Sequence, residues 1–156
     1  DFICNELSGE ISRRYDADLT NSVLAGLSYS GLFSLYARAK APDAFPHHIA
    51  LSPSLYWDGA YVLDQFEKSV SQGPPTRGRV FAAAGAREIS ISPPSELEMA
   101  RDIAMVQNVC TLGNILAENT SRVTGKVSIF DDESHHSIIG IGFSRGLRYT
   151  IGDISE

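Results

Sequence analysis

Ser28 lies in the stretch Leu24-Ala25-Gly26-Leu27-Ser28-Tyr29-Ser30-Gly31, and its surroundings suit a nucleophile. A serine hydroxyl attacks a carbonyl carbon only when a base removes its proton and a third group steers that base. The chain offers imidazoles at His47, His48, His135 and His136, and carboxylates at Glu88, Asp131, Asp132 and Glu133. Gly26-x-Ser28-x-Ser30 is close to Gly-x-Ser-x-Gly, the pattern of a sharp strand-to-helix elbow that holds its serine exposed and strained. Small flanking residues are needed because a bulky Cβ there would strike neighbouring backbone. Ser30 departs from the second glycine, while Gly31 directly after it keeps the crossing slim. The chemistry such a serine would do is acyl transfer through a covalent acyl-serine. Against this stands the plainer reading of an ordinary turn serine ahead of a helix.

An elbow works only where a strand feeds it and a helix leaves it. Residues 21–26 read as a short buried strand. Residues 31–40 read as a helix with Arg38 and Lys40 near its end and a stop at Pro42. Upstream, Ile3, Leu7, Ile11 and Tyr15 form an apolar stripe at four-residue spacing that predicts a first helix. Downstream, strands are predicted over 48–52, 79–85 and 127–130, and a helix over about 61–70 before the turn-rich Gln72-Gly73-Pro74-Pro75. The longest helix should begin near Ser95, where Ser95 and Glu98 form a capping box after Pro93 and Pro94. Met99, Ile103, Val106, Cys110, Gly113 and Leu116 then mark its core face. Gly113 in that stripe either costs about 1 kcal/mol relative to Ala or permits a close approach to the sheet. A last helix over 137–149 is expected to be broken or loosened by Gly140, Gly142 and Gly146. Strands alternating with helices give an α/β fold with a mostly parallel sheet and helices on both faces. With no internal repeat or linker, 1–156 reads as one domain.

Composition narrows the function classes. The 156 residues are 43% hydrophobic and 21% charged, as in a chain that folds around a core. A net charge of −6 and no basic cluster argue against nucleic acid or an anionic membrane as partner. No apolar stretch has the length of a membrane span. Cys4 and Cys110 lie in stretches read as helices without ligand spacing, so buried free thiols are expected, not a disulfide or metal site. No metal or organic cofactor is called for. Asn119-Thr120-Ser121 fits the glycosylation triplet, a common chance match. The chain opens Asp1-Phe2-Ile3-Cys4 with neither an initiator Met nor a signal-peptide pattern, and a cytoplasmic location is the expectation.

Four blocks, in order, resemble the esterase family of the α/β-hydrolase superfamily that includes the enterochelin (siderophore) esterases. Ala25-Gly26-Leu27-Ser28-Tyr29-Ser30-Gly31-Leu32-Phe33 resembles the family's elbow. Ala50-Leu51-Ser52-Pro53-Ser54-Leu55-Tyr56-Trp57-Asp58 is similar to its Ser-Pro-Ser-x-x-Trp stretch. Phe81-Ala82-Ala83-Ala84-Gly85-Ala86-Arg87-Glu88 resembles the strand and turn that carry its acid, and Glu133-Ser134-His135-His136-Ser137 its histidine block. The resemblance covers nearly the whole chain but only the later, C-terminal part of the family's domain.

What the resemblance implies is a serine hydrolase for carboxylic esters. Ser28 would be the nucleophile, His135 the base in preference to His136, and Glu88 the acid in preference to Asp131, Asp132 or Glu133. This Ser, acid, His order is the one α/β-hydrolases use, each residue following a strand. The backbone N–H of Tyr29 would give one oxyanion donor, and Tyr56 and Trp57 would wall the substrate pocket. His47 and His48, ahead of a strand, are expected to be surface or satisfied core groups. The family's early strands, and the loop that carries its second oxyanion donor, have no counterpart here. The chain is therefore expected to be an N-terminally truncated piece, with a bare sheet edge that could pair with a second copy. The implied partner is a small-molecule ester. Two rivals keep the fold: an inactive interaction domain, or an acyltransferase passing the acyl group to another alcohol.

Overall fold

The computed structural model describes residues 2–89 and 104–152. Four strands, β1 (Val23–Leu27), β2 (His47–Leu51), β3 (Arg79–Gly85) and β4 (Thr124–Phe130), lie side by side in chain order and are all parallel. Each parallel step requires a crossover. Helices α2 (Tyr29–Lys40), α3 (Trp57–Gln72) and α4 (Met105–Glu118) lie on the three crossovers, and α5 (Ile138–Ile151) follows β4. Earlier in the chain, a helical turn over Phe2–Leu7 runs into α1 (Ser8–Arg14).

Side-chain alternation along β3 divides the core in two. Val80, Ala82 and Ala84 join Leu35, Phe66, Val109 and Leu112 beneath α2, α3 and α4. Phe81 and Ala83 point the other way and pack with Ile49, Leu51 and Ile138 beneath α5. Helices therefore cover both faces, and β2, buried along its whole length, lies inside. A strand covered on both faces must be apolar throughout, which is why its two histidines need partners. They open β2 instead of preceding it. His47 Nε2 meets Asn21 Oδ1 at 3.1 Å and its Nδ1 accepts from Arg79 N–H at 3.2 Å. Fully buried His48 lies between Phe45 O and Ser34 Oγ, each at 3.1 Å. Both are satisfied structural groups.

Several expectations need correction. The first-helix stripe buries nothing: Leu7, Ile11 and Tyr15 are all exposed, because the described residues present no surface against it. The last helix is unbroken. Gly142 and Gly146 face the sheet, where a Cβ would press on Leu51 in the first case and on Ile49 and Phe81 in the second. Close packing thus overrides the weak helix propensity of glycine. Gly113 also lies against the sheet, a Cβ there meeting Val127 at 3.4 Å, ordinary contact. The two thiols are free, but Cys4 is half-buried and Cys110 exposed, on the outer side of α4. In α3, residues 58–60 take left-handed backbone angles, so its regular helical part opens at 61. Asn119 closes α4 by donating from Nδ2 to Ile115 O at 2.8 Å. The Ser95–Glu98 box, with Met99 and Ile103, lies outside the described residues. No described helix is long and apolar enough to cross a membrane.

Candidate active site

The turn between β1 and α2 is one residue long, and that residue is Ser28, at φ 58°, ψ −120°. This backbone conformation is strained for any residue with a side chain. The neighbours explain how it is held. A Cβ on Gly26 would collide with the backbone of Ser30, and one on Gly31 would lie 3.0 Å from Leu51 O. Ser30 turns its departure from glycine to use: its Oγ accepts from Leu27 N–H at 3.0 Å and donates to Leu27 O at 2.7 Å, closing the turn. Ser28 N–H donates to Leu51 O at 2.9 Å, tying the elbow to the end of β2. The Tyr29 N–H opens α2, where no helical carbonyl reaches it and the helix dipole favours negative charge.

The other two groups arrive from the ends of β3 and β4. Glu88 closes a short helical turn, Ala86–Glu88, directly after β3. Its side chain is only 6% exposed. Oε1 accepts from Gly85 N–H at 2.8 Å and from the Ser52 hydroxyl at 2.5 Å. Oε2 faces His135 Nδ1 at 2.7 Å. A buried carboxylate with three donors is satisfied and fixed in orientation. His135 lies in the turn after β4, and the two turns touch: Arg87 N–H donates to Glu133 O at 3.1 Å. A Cβ on Gly85 would collide with that same Glu133 carbonyl, so glycine is what lets the acid and histidine loops close together.

Among the described residues, none of the rival acids makes a hydrogen bond to His135. Asp132 pairs at the surface with Arg87 at 3.3 Å, and the Glu133 contact is made by its backbone. His136 meets His135 edge-on, ring centroids 5.4 Å apart, and has no carboxylate partner among the described residues.

Ser28, Glu88, His135, His136 and Tyr56 line one cavity of about 460 Å³, with Arg87, Met105 and Ser134. Ser28 Oγ rests 3.2 Å from Ser54 Oγ, and no hydrogen bond joins it to His135 among the described residues. Trp57, expected in the pocket wall, is not among the lining residues. It is 54% exposed and packs edge-on against the Tyr29 ring at 5.5 Å. The Tyr29 phenol is pushed above its ordinary value, chiefly by the Tyr56 hydroxyl beside it. A second cavity of about 440 Å³, bordered by Phe81, Lys126, Arg145 and Tyr149, contains no imidazole or carboxylate and so lacks this chemistry.

The sequence alone assigns no role to Ser52 or Ser54. Both are fully buried hydroxyls in an apolar stretch, and a buried hydroxyl needs a partner. That was the available signal.

Comparison with known proteins shows the family and the fold. Residues 1–115 match the esterase family described as "Putative esterase". The chain is 30% identical over 153 residues to the ferri-bacillibactin esterase BesA of Bacillus subtilis, covering 96% of this chain and 50% of that protein. It is 27% identical over 161 residues to the siderophore triacetylfusarinine C esterase of Aspergillus fumigatus, covering 94% of this chain and 55% of that protein. It spans about half the length of these curated relatives. The structure superposes on the siderophore hydrolase EstB of Aspergillus nidulans with a TM-score of 0.81 at 24% identity, over 100% of this chain and 57% of that one. The fold is that of an α/β-hydrolase, and the chain belongs to this esterase family.

Proposed function

We propose that the protein hydrolyses a carboxylic ester through an acyl-serine. Ser28 Oγ attacks the ester carbonyl carbon as its proton passes to His135 Nε2. The carbonyl oxygen becomes an oxyanion, met by the Tyr29 N–H at the positive end of α2. Collapse breaks the bond to the alcohol oxygen, which leaves with the proton from His135. Water then attacks the acyl-serine, giving its proton to His135, and the second collapse releases the acid as Oγ is reprotonated. Glu88 fixes the imidazole tautomer, with the proton on Nδ1, and stabilises the imidazolium in both halves.

One observation carries this reading: a buried, fully partnered Glu88 lies 2.7 Å from His135 Nδ1, across a cavity that Ser28 borders from a strained turn. The relatives named for siderophore esters support a siderophore ester as substrate. The test is fluorophosphonate labelling of the intact protein. The native form should label, and Ser28→Ala should not, with ester turnover falling by a factor on the order of 10⁴ to 10⁶. Equal labelling of both would end the proposal. Siderophore esters should exceed simple short-chain esters in kcat/KM.

A further inference from the structure

We infer that Ser52 is a positioning residue for the acid, acting through Glu88; the inference rests on the hydrolase reading above. Ser52 follows β2 directly and is fully buried at φ 38°, a left-handed conformation that a non-glycine residue adopts only at a cost. Its N–H donates to Ala83 O at 2.6 Å, which extends the β2–β3 pairing by one step and fixes the backbone. From there its hydroxyl reaches Glu88 Oε1 at 2.5 Å, the shortest of the three bonds to that carboxylate.

The geometry gives the hydroxyl a particular task. A carboxylate can rotate about its last bond and present either oxygen to the histidine. Gly85 N–H alone leaves that rotation partly free. Ser52 and Gly85 together engage Oε1 from two directions, so Oε2 is the oxygen left for His135. Two residues on, Ser54 Oγ lies 3.2 Å from Ser28 Oγ and Ser54 N–H donates to Ser28 O at 3.2 Å. A single turn, Ser52-Pro53-Ser54, therefore touches both the acid and the nucleophile. Pro53 Cα lies close enough that a Cβ on Gly31 would meet it at 3.3 Å, which places this turn firmly against the elbow.

The consequence for the bond to His135 is measurable without substrate. Without the Ser52 hydroxyl, Glu88 can turn about its last bond, and the bond from His135 Nδ1–H to Oε2 loosens. The test is NMR detection of the His135 Nδ1–H proton in the intact protein, comparing the native form with Ser52→Ala, Ser52→Gly and Ser54→Ala. Ser52→Gly relieves the φ 38° strain while deleting the hydroxyl, so its comparison with Ser52→Ala separates positioning from backbone support. Both Ser52 variants should speed exchange of that proton with water by about tenfold. They should also slow fluorophosphonate labelling by about tenfold. Ser54→Ala removes an equally buried hydroxyl from the same turn without touching Glu88, so the exchange rate should stay in place. An unchanged exchange rate in the Ser52 variants overturns the inference, whatever their labelling rates. A native protein that fails to label overturns the hydrolase reading instead, a distinct result.

Discussion

His135 and His136 are adjacent in the chain and edge-on in space, yet among the described residues only the first meets a carboxylate. His135→Ala is therefore expected to lower kcat/KM for an ester by about 10³-fold or more, because base and imidazolium are both lost. His136→Ala should cost less than about tenfold, measured on the same ester. Equal losses would show that the pairing with Glu88 does not decide which imidazole works. At this scale the elbow at Ser28 and the pairing of Glu88 with His135 are legible because each residue follows a strand and the resemblance fixes their order. Spacing alone left Asp131, Asp132 and Glu133 open. The surface pairing of Asp132 with Arg87, and the backbone use of Glu133, are tertiary facts that no local pattern carries. The roles of Ser52 and Ser54 were hidden for the same reason, since their hydroxyl partners lie 36 and 26 residues away.

Elements were more legible than contacts. β3 has the bounds its sequence predicts, and the regular part of α3 begins where its pattern does. β4 begins three residues earlier than expected, because Thr124-Gly125-Lys126 lacks an apolar run but pairs with Arg79-Val80-Phe81. Glycine was the residue least readable from sequence, since its effect depends on what faces it. Two substitutions make the point with opposite signs. Gly85→Ala drives a methyl into the Glu133 carbonyl and should destabilise the fold by about 1–3 kcal/mol while slowing turnover. Gly113→Ala meets only the Val127 side chain at ordinary distance and should stabilise α4 by up to about 1 kcal/mol. Urea denaturation of both variants, beside the native protein, measures the difference.

At the level of the whole molecule, acid should weaken the fold through β2. Burial, with Arg38 nearby, lowers His48 to about 3 from an ordinary 6.5. The folded protein thus keeps this ring neutral over a range in which the unfolded chain protonates it. The unfolded state binds the extra proton, so stability is complete above about pH 6.5 and is lost progressively as the pH falls toward 3. Melting temperature against pH should decline across that window, and His48→Gln should flatten the decline even if its own melting point is lower throughout. The parallel α/β architecture itself was legible from the alternation of strand and helix patterns. The exposed stripe of α1 was not, because periodicity reports an apolar face without reporting what covers it.

The glycines of α5 lead to one more consequence. Gly142 and Gly146 bring that helix hard against Leu51 and Ile49, on the strand whose next residue is Ser52. Added bulk at these two positions presses first on the side chains of Leu51, Ile49 and Phe81, and whatever they do not absorb is passed to the strand that leads into the carboxylate's tether. Under the hydrolase reading proposed above, the rear layer of the molecule would therefore act as a throttle on the rim, adjustable by one methyl group on a helix of the opposite face.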